Sequence, residues 1–316
     1  MSASTRPIVL VTEGSDPNPL AWLRERAEVV QAAPGDAGFE EALAKCQGLM
    51  VRTYTRVNDA LLTRAPHLKV IGRGGVGLDN IDIPACRRRG IEVVYTPDAN
   101  TLAVGDYIFG VMIRLVRGWP LIEKGYAPES FKKTRNAVRG RQLDEMTLGI
   151  LGLGRVGKRV GAIAANGFGM RVIYNDLVQM TKLSFAAQAV DKQSLFRECD
   201  VLTIHVDMRS GNEKLVGAQQ IGLMKKGSIL INASRGEVLD AGAVAEAIRS
   251  GQLAGAALDV YDPEPPAAEL ELIGMPNVIL TPHIASRTHT AVENMGWVVR
   301  DVMNVIEKRP AEFPAP

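Results

Sequence analysis

Short apolar runs rich in valine and isoleucine alternate with helical patterns along most of the chain. Ten such runs occur, at residues 8–11, 48–51, 69–72, 91–94, 148–151, 171–174, 201–204, 229–232, 256–258 and 278–280. Continuous apolar runs of this length are typical of parallel strands that helices cover on both faces. The alternation therefore predicts an α/β protein with parallel sheets.

Ten strands are many for one open sheet, and a polar stretch at residues 119–145, interpreted as irregular, separates the fourth strand from the fifth. We therefore expect two sheets, and 316 residues are enough for about two domains. The last helical pattern, at about residues 288–307, has no strand after it. It is expected to pack back on the first domain, which would make that domain discontinuous.

Composition argues against several kinds of partner. The net charge of +2 is too small to indicate nucleic-acid binding, and the basic clusters at 87–89 and 132–133 are interpreted as solvated faces. Three widely spaced cysteines fit neither a disulfide framework nor a zinc site, so no metal is expected. The amino terminus lacks an apolar signal segment, and no apolar run approaches the roughly 18 residues of a membrane span. We expect a cytoplasmic protein.

Two segments fit the pattern G-x-G-x-x-G, Gly72-Arg-Gly-Gly-Val-Gly77 and Gly152-Leu-Gly-Arg-Val-Gly157. The second is followed by a helical pattern with small inner residues and then by a strand that ends at Asp176, about 20 residues on, which is the full dinucleotide-binding context. After Gly77 the chain reads Leu-Asp-Asn-Ile-Asp-Ile-Pro, which interrupts the helix that a pyrophosphate site needs. The second segment is therefore the predicted cofactor site.

The residue types of this segment favour NAD. Gly152 permits a tight turn, Gly154 lets the backbone approach a pyrophosphate, and Gly157 lets the helix pack closely on the strand. Asp176 would accept hydrogen bonds from the adenosine ribose, and its charge repels the 2′-phosphate of NADP. The residues that follow, Leu177-Val-Gln179, contain no arginine to offset that charge.

Three frames follow in order, Asn232-Ala-Ser-Arg235-Gly236, Asp259-Val-Tyr-Asp-Pro-Glu264-Pro265 and Thr281-Pro-His283-Ile-Ala285. With the glycine motif before them, they resemble the D-isomer-specific 2-hydroxyacid dehydrogenases. The resemblance covers most of the chain from Val51-Arg52 onwards, and the pattern is most similar to the phosphoglycerate dehydrogenase branch. It implies an oxidoreductase that moves a hydride between NAD and C2 of a 2-hydroxy acid.

The three catalytic candidates are chemically consistent with that reaction. His283 would take the hydroxyl proton, because histidine is the side chain that titrates near neutrality. Glu264 would orient the ring and stabilise its charged form, and Arg235 would bind the substrate carboxylate with two parallel hydrogen bonds. Without the resemblance, Glu264 could be a surface acid in a proline-rich loop and Asp259 a turn cap.

The resemblance also implies the domain organisation. Residues 1–99 and 287–316 would form a substrate domain, and residues 100–286 an inserted Rossmann-like NAD domain, with hinges near Asn100 and Ser286. The helix after Asn100 and the edge of the cofactor domain would build a homodimer with a two-fold axis. That helix reads Val104-Gly-Asp-Tyr107 where the family usually has Val-Ala-Glu followed by His or Tyr. We expect this departure to leave the proton chemistry untouched. We also expect Gly105 to weaken the helix.

Further site residues are carried over from the resemblance. The cofactor site would also include Thr101, Arg155, Val156, His205, Ala233 and Asp259, the last as a contact of the nicotinamide amide. The loop with Gly75, Val76 and Gly77 would bind the substrate carboxylate through backbone N–H groups.

The identity of the substrate stays open. Arg52 and Arg73 match positions of the phosphoglycerate dehydrogenase branch and would hold a second anionic group, as in 3-phosphoglycerate; alternatively both form internal ion pairs. The chain ends at Pro316, so we expect no appended regulatory domain. Two other functions remain: a hydroxypyruvate or glyoxylate reductase, in which Arg52→Ala would spare activity, and an NAD-sensing dimer that binds proteins, like the corepressors of this family.

Overall fold

A computed structural model of the chain describes residues 6–122, 125 and 127–316. The chain divides into two compact units, residues 1–100 with 287–316, called unit 1, and residues 101–286, called unit 2. The division inferred from the sequence differs from this one by a single residue, Asn100. The prediction that the amino terminus carries no signal segment rests on residues 1–5, which lie outside the described residues.

Unit 1 is built on a five-stranded parallel sheet in the order β2-β1-β3-β4-β5. Its strands are β1 (Ile8–Val11), β2 (Glu28–Gln31), β3 (Gly48–Val51), β4 (Val70–Arg73) and β5 (Glu92–Tyr95). Its helices are α1 (Pro17–Arg24), α2 (Phe39–Lys45), α3 (Asp59–Thr63), α4 (Ile83–Arg88), α11 (His289–Gly296) and α12 (Val299–Ile306). One buried cluster lies between the sheet and α2, α3 and α4, and another between the sheet and α1 and α12, so both faces are covered.

Unit 2 is built on a seven-stranded parallel sheet in the order β12-β11-β10-β9-β6-β7-β8. Its strands are β6 (Thr147–Leu151), β7 (Arg171–Asn175), β8 (Gln188–Ala189), β9 (Val201–Ile204), β10 (Ser228–Asn232), β11 (Leu253–Leu258) and β12 (Val278–Leu280). Its helices are α5 (Thr101–Arg117), α6 (Pro128–Ala137), α7 (Arg155–Ala162), α8 (Lys192–Glu198), α9 (Ala218–Leu223) and α10 (Ala241–Arg249). Short 3-10 turns at Leu143–Glu145 and Gly236–Val238 and a π turn at Ile163–Gly167 complete it.

The predicted fold class, α/β with two parallel sheets, is confirmed. All ten predicted strands are present, with ends shifted by up to three residues, and the prediction missed β2 and β8. The stretch 119–145, predicted to be irregular, contains helix α6, so that part of the prediction was wrong. The single helix expected over residues 288–307 is two helices, α11 and α12, which are separated at Trp297 and Val298.

The two glycine motifs have different surroundings. After Gly77 the next helix, α4, begins only at Ile83, whereas α7 begins at Arg155, immediately after Gly154. Gly72 packs against α12, because a Cβ atom at this position would lie 2.4 Å from Cγ2 of Val302. The first motif therefore has a packing role at its first glycine, and only the second has a helix at the position where a phosphate site needs it.

The order of strands in unit 2 positions its loops. From β6 the chain moves in one direction through β7 and β8, and then in the other through β9, β10, β11 and β12. In parallel sheets, ligands bind outside the carboxyl ends of strands near such a reversal. The glycine motif and the three catalytic frames each follow the carboxyl end of a strand, and therefore lie along the same edge of the sheet.

Among the described residues, no helix is long and apolar enough to cross a bilayer. Within those same residues, no group of three or more His, Cys, Asp or Glu side chains is placed to hold a metal ion.

Candidate active site

The glycine turn after β6 has the geometry that a dinucleotide requires. Gly152 has a φ of +92°, and a Cβ atom there would lie 2.9 Å from the carbonyl carbon and oxygen of His205. A Cβ atom on Gly157 would lie 2.3 Å from the carbonyl oxygen of Gly152, so the first turn of α7 rests directly on the loop. At Gly154, by contrast, a Cβ atom would meet nothing within 4 Å. The space beside Gly154 is therefore open for a ligand.

The amino terminus of α7 points at that space without a side-chain cap. The first N–H groups of a helix have no partner within the helix and carry a partial positive charge, so they are suited to phosphate oxygens. Arg155 at this end is exposed and Val156 is half-buried. These features fit a pyrophosphate.

Asp176 follows β7 and lies next to the glycine turn. Its Oδ2 accepts a hydrogen bond of 2.6 Å from the backbone N–H of Leu153, and its Oδ1 accepts one of 2.9 Å from Val178. Each carboxylate oxygen can accept a further hydrogen bond, so these contacts orient the group without saturating it. Beyond it the side chains of Leu177 and Val178 are 80% and 62% exposed. Apolar side chains on this surface could cover an adenine ring.

His205 follows β9 and contacts the glycine turn through its backbone. Its Nε2 lies 2.8 Å from Oγ1 of Thr203, and burial lowers the pKa of the ring to about 4. The side chain is therefore neutral at neutral pH. Two other residues are proposed to contact the cofactor. Ala233 follows β10 and is half-buried. Oγ1 of Thr101 is buried and has no hydrogen-bond partner among the described residues.

The structure brings His283 and Glu264 together. Nδ1 of His283 lies 2.9 Å from Oε1 and 3.1 Å from Oε2 of Glu264, and the two side chains are 30% and 25% exposed. The contact assigns a proton to Nδ1 and leaves Nε2 available to a substrate. A carboxylate in this position also holds the ring in one orientation. The pair can therefore accept and return a proton.

Asp259, expected from the resemblance to contact the nicotinamide, holds the segment that contains His283. Its carboxylate is only 1% exposed and accepts hydrogen bonds from Thr281 Oγ1 (2.6 Å), Ile284 N (2.8 Å) and Ala285 N (2.7 Å). Its carbonyl oxygen accepts a further bond of 2.9 Å from the N–H of His283. A contact between Asp259 and a cofactor remains a prediction.

Two tyrosines that the sequence did not single out as site residues contact the same segment. The hydroxyl of Tyr107, on α5, lies 2.6 Å from Oγ1 of Thr281, and the hydroxyl of Tyr261 donates to the carbonyls of Leu258 and Thr281. Tyr107 precedes Thr281 by 174 residues, so no local pattern could have paired them. The contact is made by Tyr107, which the family usually has as His or Tyr, so the expectation that the departure at Gly105 and Asp106 leaves the proton chemistry untouched stays a prediction.

Arg235 is half-buried in the loop after β10. Its carbonyl accepts a bond of 2.9 Å from Asn232 Nδ2, and its Nη1 donates to the carbonyl of Ser234 at 2.7 Å. The next residue is Gly236, where a Cβ atom would lie 1.9 Å from the carbonyl carbon and oxygen of Tyr261. The loop of Arg235 is therefore fixed against the segment that leads to Glu264.

The predicted anion loop of unit 1 follows β4. Gly75 has a φ of +142°, and its N–H donates to Thr96 Oγ1 and to the carbonyl of Arg73. Nη1 of Arg73 donates to the carbonyl of Gly74 at 3.0 Å. It occupies the space that a side chain on Gly75 would need. Because the N–H of Gly75 is already engaged, the proposed anion contacts depend on Val76 and Gly77.

Arg52 follows β3 at the edge of a small pocket that Val11, Glu13, Met50, Gly74 and Met295 also line. Its Nη1 donates to the carbonyl of Gly14 at 3.2 Å, and it forms no ion pair within the described residues. Burial, and then the charge of Arg287, lower its pKa. The internal ion pair considered as an alternative is therefore not present for Arg52 among those residues.

Glu13, which the sequence did not single out, organises this loop. Its carboxylate accepts hydrogen bonds from four backbone N–H groups, those of residues 52, 53, 54 and 55, at 2.8–3.2 Å. Burial opposes ionisation of the carboxyl group, but the amides outweigh it, and the pKa of Glu13 is lowered. A buried acid thus sets the conformation of the segment that carries Arg52.

Comparison with known proteins agrees with this geometry. The NAD binding domain of the D-isomer specific 2-hydroxyacid dehydrogenases matches residues 109–285. The chain is 35% identical over 307 residues to D-3-phosphoglycerate dehydrogenase of Archaeoglobus fulgidus, covering 96% of this chain and 58% of that protein. It is 34% identical to glyoxylate reductase of Thermococcus litoralis, covering 98% of this chain and 96% of that protein.

Among solved structures, D-lactate dehydrogenase of Aquifex aeolicus, complexed with NAD and lactic acid, aligns with a TM-score of 0.82 at 27% identity, covering 95% of this chain and 96% of the other. The chain spans little more than half the length of the phosphoglycerate dehydrogenase that it matches. The match to the NAD binding domain extends over more than half of the chain and contains the glycine turn, Glu264 and His283. The chain therefore belongs to the D-isomer specific 2-hydroxyacid dehydrogenase family.

Proposed function

We propose that the protein is an NAD-dependent dehydrogenase that transfers a hydride between NAD and C2 of a D-2-hydroxy acid or the corresponding 2-oxo acid. The observation that carries the proposal is the 2.9 Å contact between His283 and Glu264, at the same sheet edge as an open glycine turn. A histidine–carboxylate pair is suited to moving the hydroxyl proton of such a substrate.

Each residue has a separate role in the proposed reaction. NAD, when bound, supplies the hydride acceptor. Nε2 of His283 takes the hydroxyl proton as C2 is oxidised, and Glu264 stabilises the imidazolium that forms. In the reverse direction the imidazolium returns that proton to the C2 oxygen. Arg235 binds the substrate carboxylate and polarises the C2 oxygen.

Residues of unit 2 support NAD as the cofactor. Gly152, Gly154 and Gly157 form the turn, the first N–H groups of α7 would hold the pyrophosphate, and Asp176 would bind the adenosine ribose. The buried hydroxyl of Thr101 has a hydrogen-bonding capacity that a bound cofactor could use. The carboxylate of Asp176 disfavours NADP, because it would face the 2′-phosphate.

The substrate is proposed to be a 2-hydroxy acid with a second anionic group, such as 3-phosphoglycerate. A half-buried guanidinium without an ion pair among the described residues, Arg52, supports this choice. Arg73 is proposed to hold the second anionic group together with Arg52, and the N–H groups of Val76 and Gly77 are proposed to bind the carboxylate end. The second candidate is glyoxylate or hydroxypyruvate reduction, which similarity to the Thermococcus litoralis enzyme over nearly its full length favours.

A second copy of the chain is the proposed macromolecular partner, and α6 is proposed to join α5, the helix after Asn100, in the interface. Helix α6 has no buried residue, and apolar side chains beside and on it are well exposed: Leu121 (64%), Ile122 (66%) and Phe131 (48%). An exposed apolar area of this kind marks an association surface, and two-fold dimers are the commonest assembly.

Three buried, unpaired cysteines are consistent with a reducing compartment, and we propose the cytoplasm.

The test is NADH formation by absorbance with a panel of D- and L-2-hydroxy acids that includes 3-phosphoglycerate, glycerate and lactate, run with NAD and with NADP. We expect activity with NAD and D-acids, highest with 3-phosphoglycerate. His283→Gln should lower kcat by about 100-fold or more, because the proton acceptor is lost. His67→Gln, at an exposed position of unit 1, should leave it unchanged.

Each contrary result is informative. Equal turnover of glycerate and 3-phosphoglycerate would reject the second anionic group. Full activity of His283→Gln would reject the assignment of the base. NAD binding by calorimetry without turnover of any acid in the panel would favour the sensing role over the enzymatic one.

A further inference from the structure

A hydrogen-bonded chain leads from helix α5 to the catalytic segment. The hydroxyl of Tyr107 lies 2.6 Å from Oγ1 of Thr281, which in turn lies 2.6 Å from Oδ1 of Asp259. Tyr107 and Thr281 are partly buried, and Asp259 is 1% exposed. The chain thus ends at the carboxylate that holds the backbone around His283.

The direction of these hydrogen bonds follows from the groups involved. An ionised carboxylate only accepts, so the single hydroxyl hydrogen of Thr281 is donated to Asp259. Thr281 must then accept from Tyr107, and Tyr107 must keep its proton. Burial raises the pKa of Tyr107 to about 12, which agrees with a hydroxyl that stays protonated.

The carboxylate at the end of the chain fixes both residues after His283. Asp259 accepts from Ile284 N at 2.8 Å and from Ala285 N at 2.7 Å, and its carbonyl accepts from His283 N at 2.9 Å. His283 itself has a φ of +53°, in the left-handed region that residues with side chains rarely adopt. This backbone conformation is the one in which its ring meets Glu264, and hydrogen bonds on both sides of it maintain it.

We propose that Tyr107 is a positioning residue for catalysis, which acts through Thr281 and Asp259 to hold His283 in its left-handed turn. The proposal rests on the proposed function, in which His283 is the base. Tyr107 does not touch the reacting atoms. Its hydroxyl orients Thr281, Thr281 orients Asp259, and Asp259 sets the backbone from which the imidazole projects.

The first test is Tyr107→Phe, which removes one hydroxyl and keeps the ring. We expect kcat to fall about 10-fold, whereas KM for the acid and the dissociation constant of NAD change less than about two-fold. Hydrogen exchange of the backbone amides in residues 281–286, followed by mass spectrometry, should become several-fold faster. Tyr174→Phe is the matched control, because Tyr174 is a buried tyrosine of the same unit with no described contact to this segment.

A double-mutant cycle separates positioning from general destabilisation. Thr281→Val preserves shape and breaks the same chain, so we expect Tyr107→Phe to add almost nothing to kcat or exchange once Thr281 is changed. Multiplicative losses in the double variant, or a Tyr107→Phe protein with wild-type kcat and exchange, would overturn the proposal. A wild-type protein without turnover would reject the proposed function alone, because amide exchange still measures whether Tyr107 holds the segment.

Discussion

Backbone amides hold two carboxylates of this protein, those of Glu13 and Asp259. Glu13 accepts from four consecutive residues, and Asp259 accepts from Ile284 and Ala285. Amides arranged around a carboxylate favour its charged form and fix the loop that donates them. In each unit, one acid therefore sets the backbone that carries a proposed substrate or catalytic residue, Arg52 in unit 1 and His283 in unit 2.

Glu13→Gln should destabilise unit 1 in a pH-dependent way. The pKa of Glu13 is lowered in the folded protein, so its contribution is present above the pKa of the unfolded chain and is lost as pH falls through the folded value. Charge-assisted hydrogen bonds contribute about 1.5–3 kcal/mol in total here, and glutamine should lose about half of that at pH 7. The measurement is urea unfolding of both proteins between pH 7 and about pH 2.5, which includes the range below the usual pKa of a glutamate.

The matched control is Glu41→Gln, whose carboxylate is exposed and pairs only with Lys45 among the described residues. We expect it to change the unfolding midpoint much less than Glu13→Gln does, because solvent screens this exposed pair. A difference for Glu13→Gln that stayed constant down to about pH 2.5 would mean that its ionisation does not stabilise the fold.

At the scale of elements, the strands inferred correctly from the sequence are rich in apolar residues, and they include two edge strands, β5 and β12. β3, β9 and β10 are buried along their whole length, and apolar residues dominate them because helices cover the sheet on each side. The two missed strands are edge strands: β2 contains only two apolar residues, and β8 has two residues, both exposed. Hydrophobic periodicity measures burial, so it cannot detect a strand that is not buried.

The candidate site also contains residues that the sequence was sufficient to predict and residues that it was not. The glycine turn, Arg235, Glu264 and His283 lie in short motifs, so the sequence was sufficient to propose them. Tyr107 and Glu13 act through contacts with residues that are distant in sequence, which only the fold brings near. The sequence predicted that Gly105 weakens α5, and only the fold shows why a glycine stands there. A Cβ atom at this position would lie 2.9 Å from Cγ of Arg159, so the glycine allows α7 to pack closely on α5.

Two alanine substitutions in the glycine turn should separate folding from cofactor binding. In Gly157→Ala the new Cβ atom collides with the carbonyl of Gly152, so the melting temperature should fall and NAD binding should be lost. In Gly154→Ala the Cβ atom meets nothing within 4 Å, so stability should be unchanged, but the methyl group would occupy space proposed for the pyrophosphate. Thermal melts and NAD titration calorimetry measure the two effects.

For Gly154→Ala we expect at least a 10-fold weaker NAD affinity with a wild-type melting temperature. Unchanged NAD affinity would place the dinucleotide elsewhere. A wild-type melting temperature of Gly157→Ala would show that the turn can move away from α7.

At the scale of the whole molecule, each unit has its own parallel sheet and its own buried clusters. Helix α6 is the exception, because none of its ten residues is buried. An isolated helix shorter than about 12 residues is marginal in water, so an apolar surface that covers α6 would stabilise it. A second copy of the chain would supply that surface and cover Leu121, Ile122 and Phe131.

Phe131→Glu should therefore shift the protein from dimer to monomer. A carboxylate buried in an apolar contact without a partner is strongly unfavourable, and the same change on a free surface has little effect. Ile273→Glu is the control, since Ile273 is 55% exposed in the same unit but outside this area. In sedimentation velocity we expect the wild type and Ile273→Glu at twice 34.1 kDa and Phe131→Glu at 34.1 kDa at micromolar concentration. A dimer that persists in Phe131→Glu would place the interface away from α6, and a wild-type monomer would reject the second copy as partner.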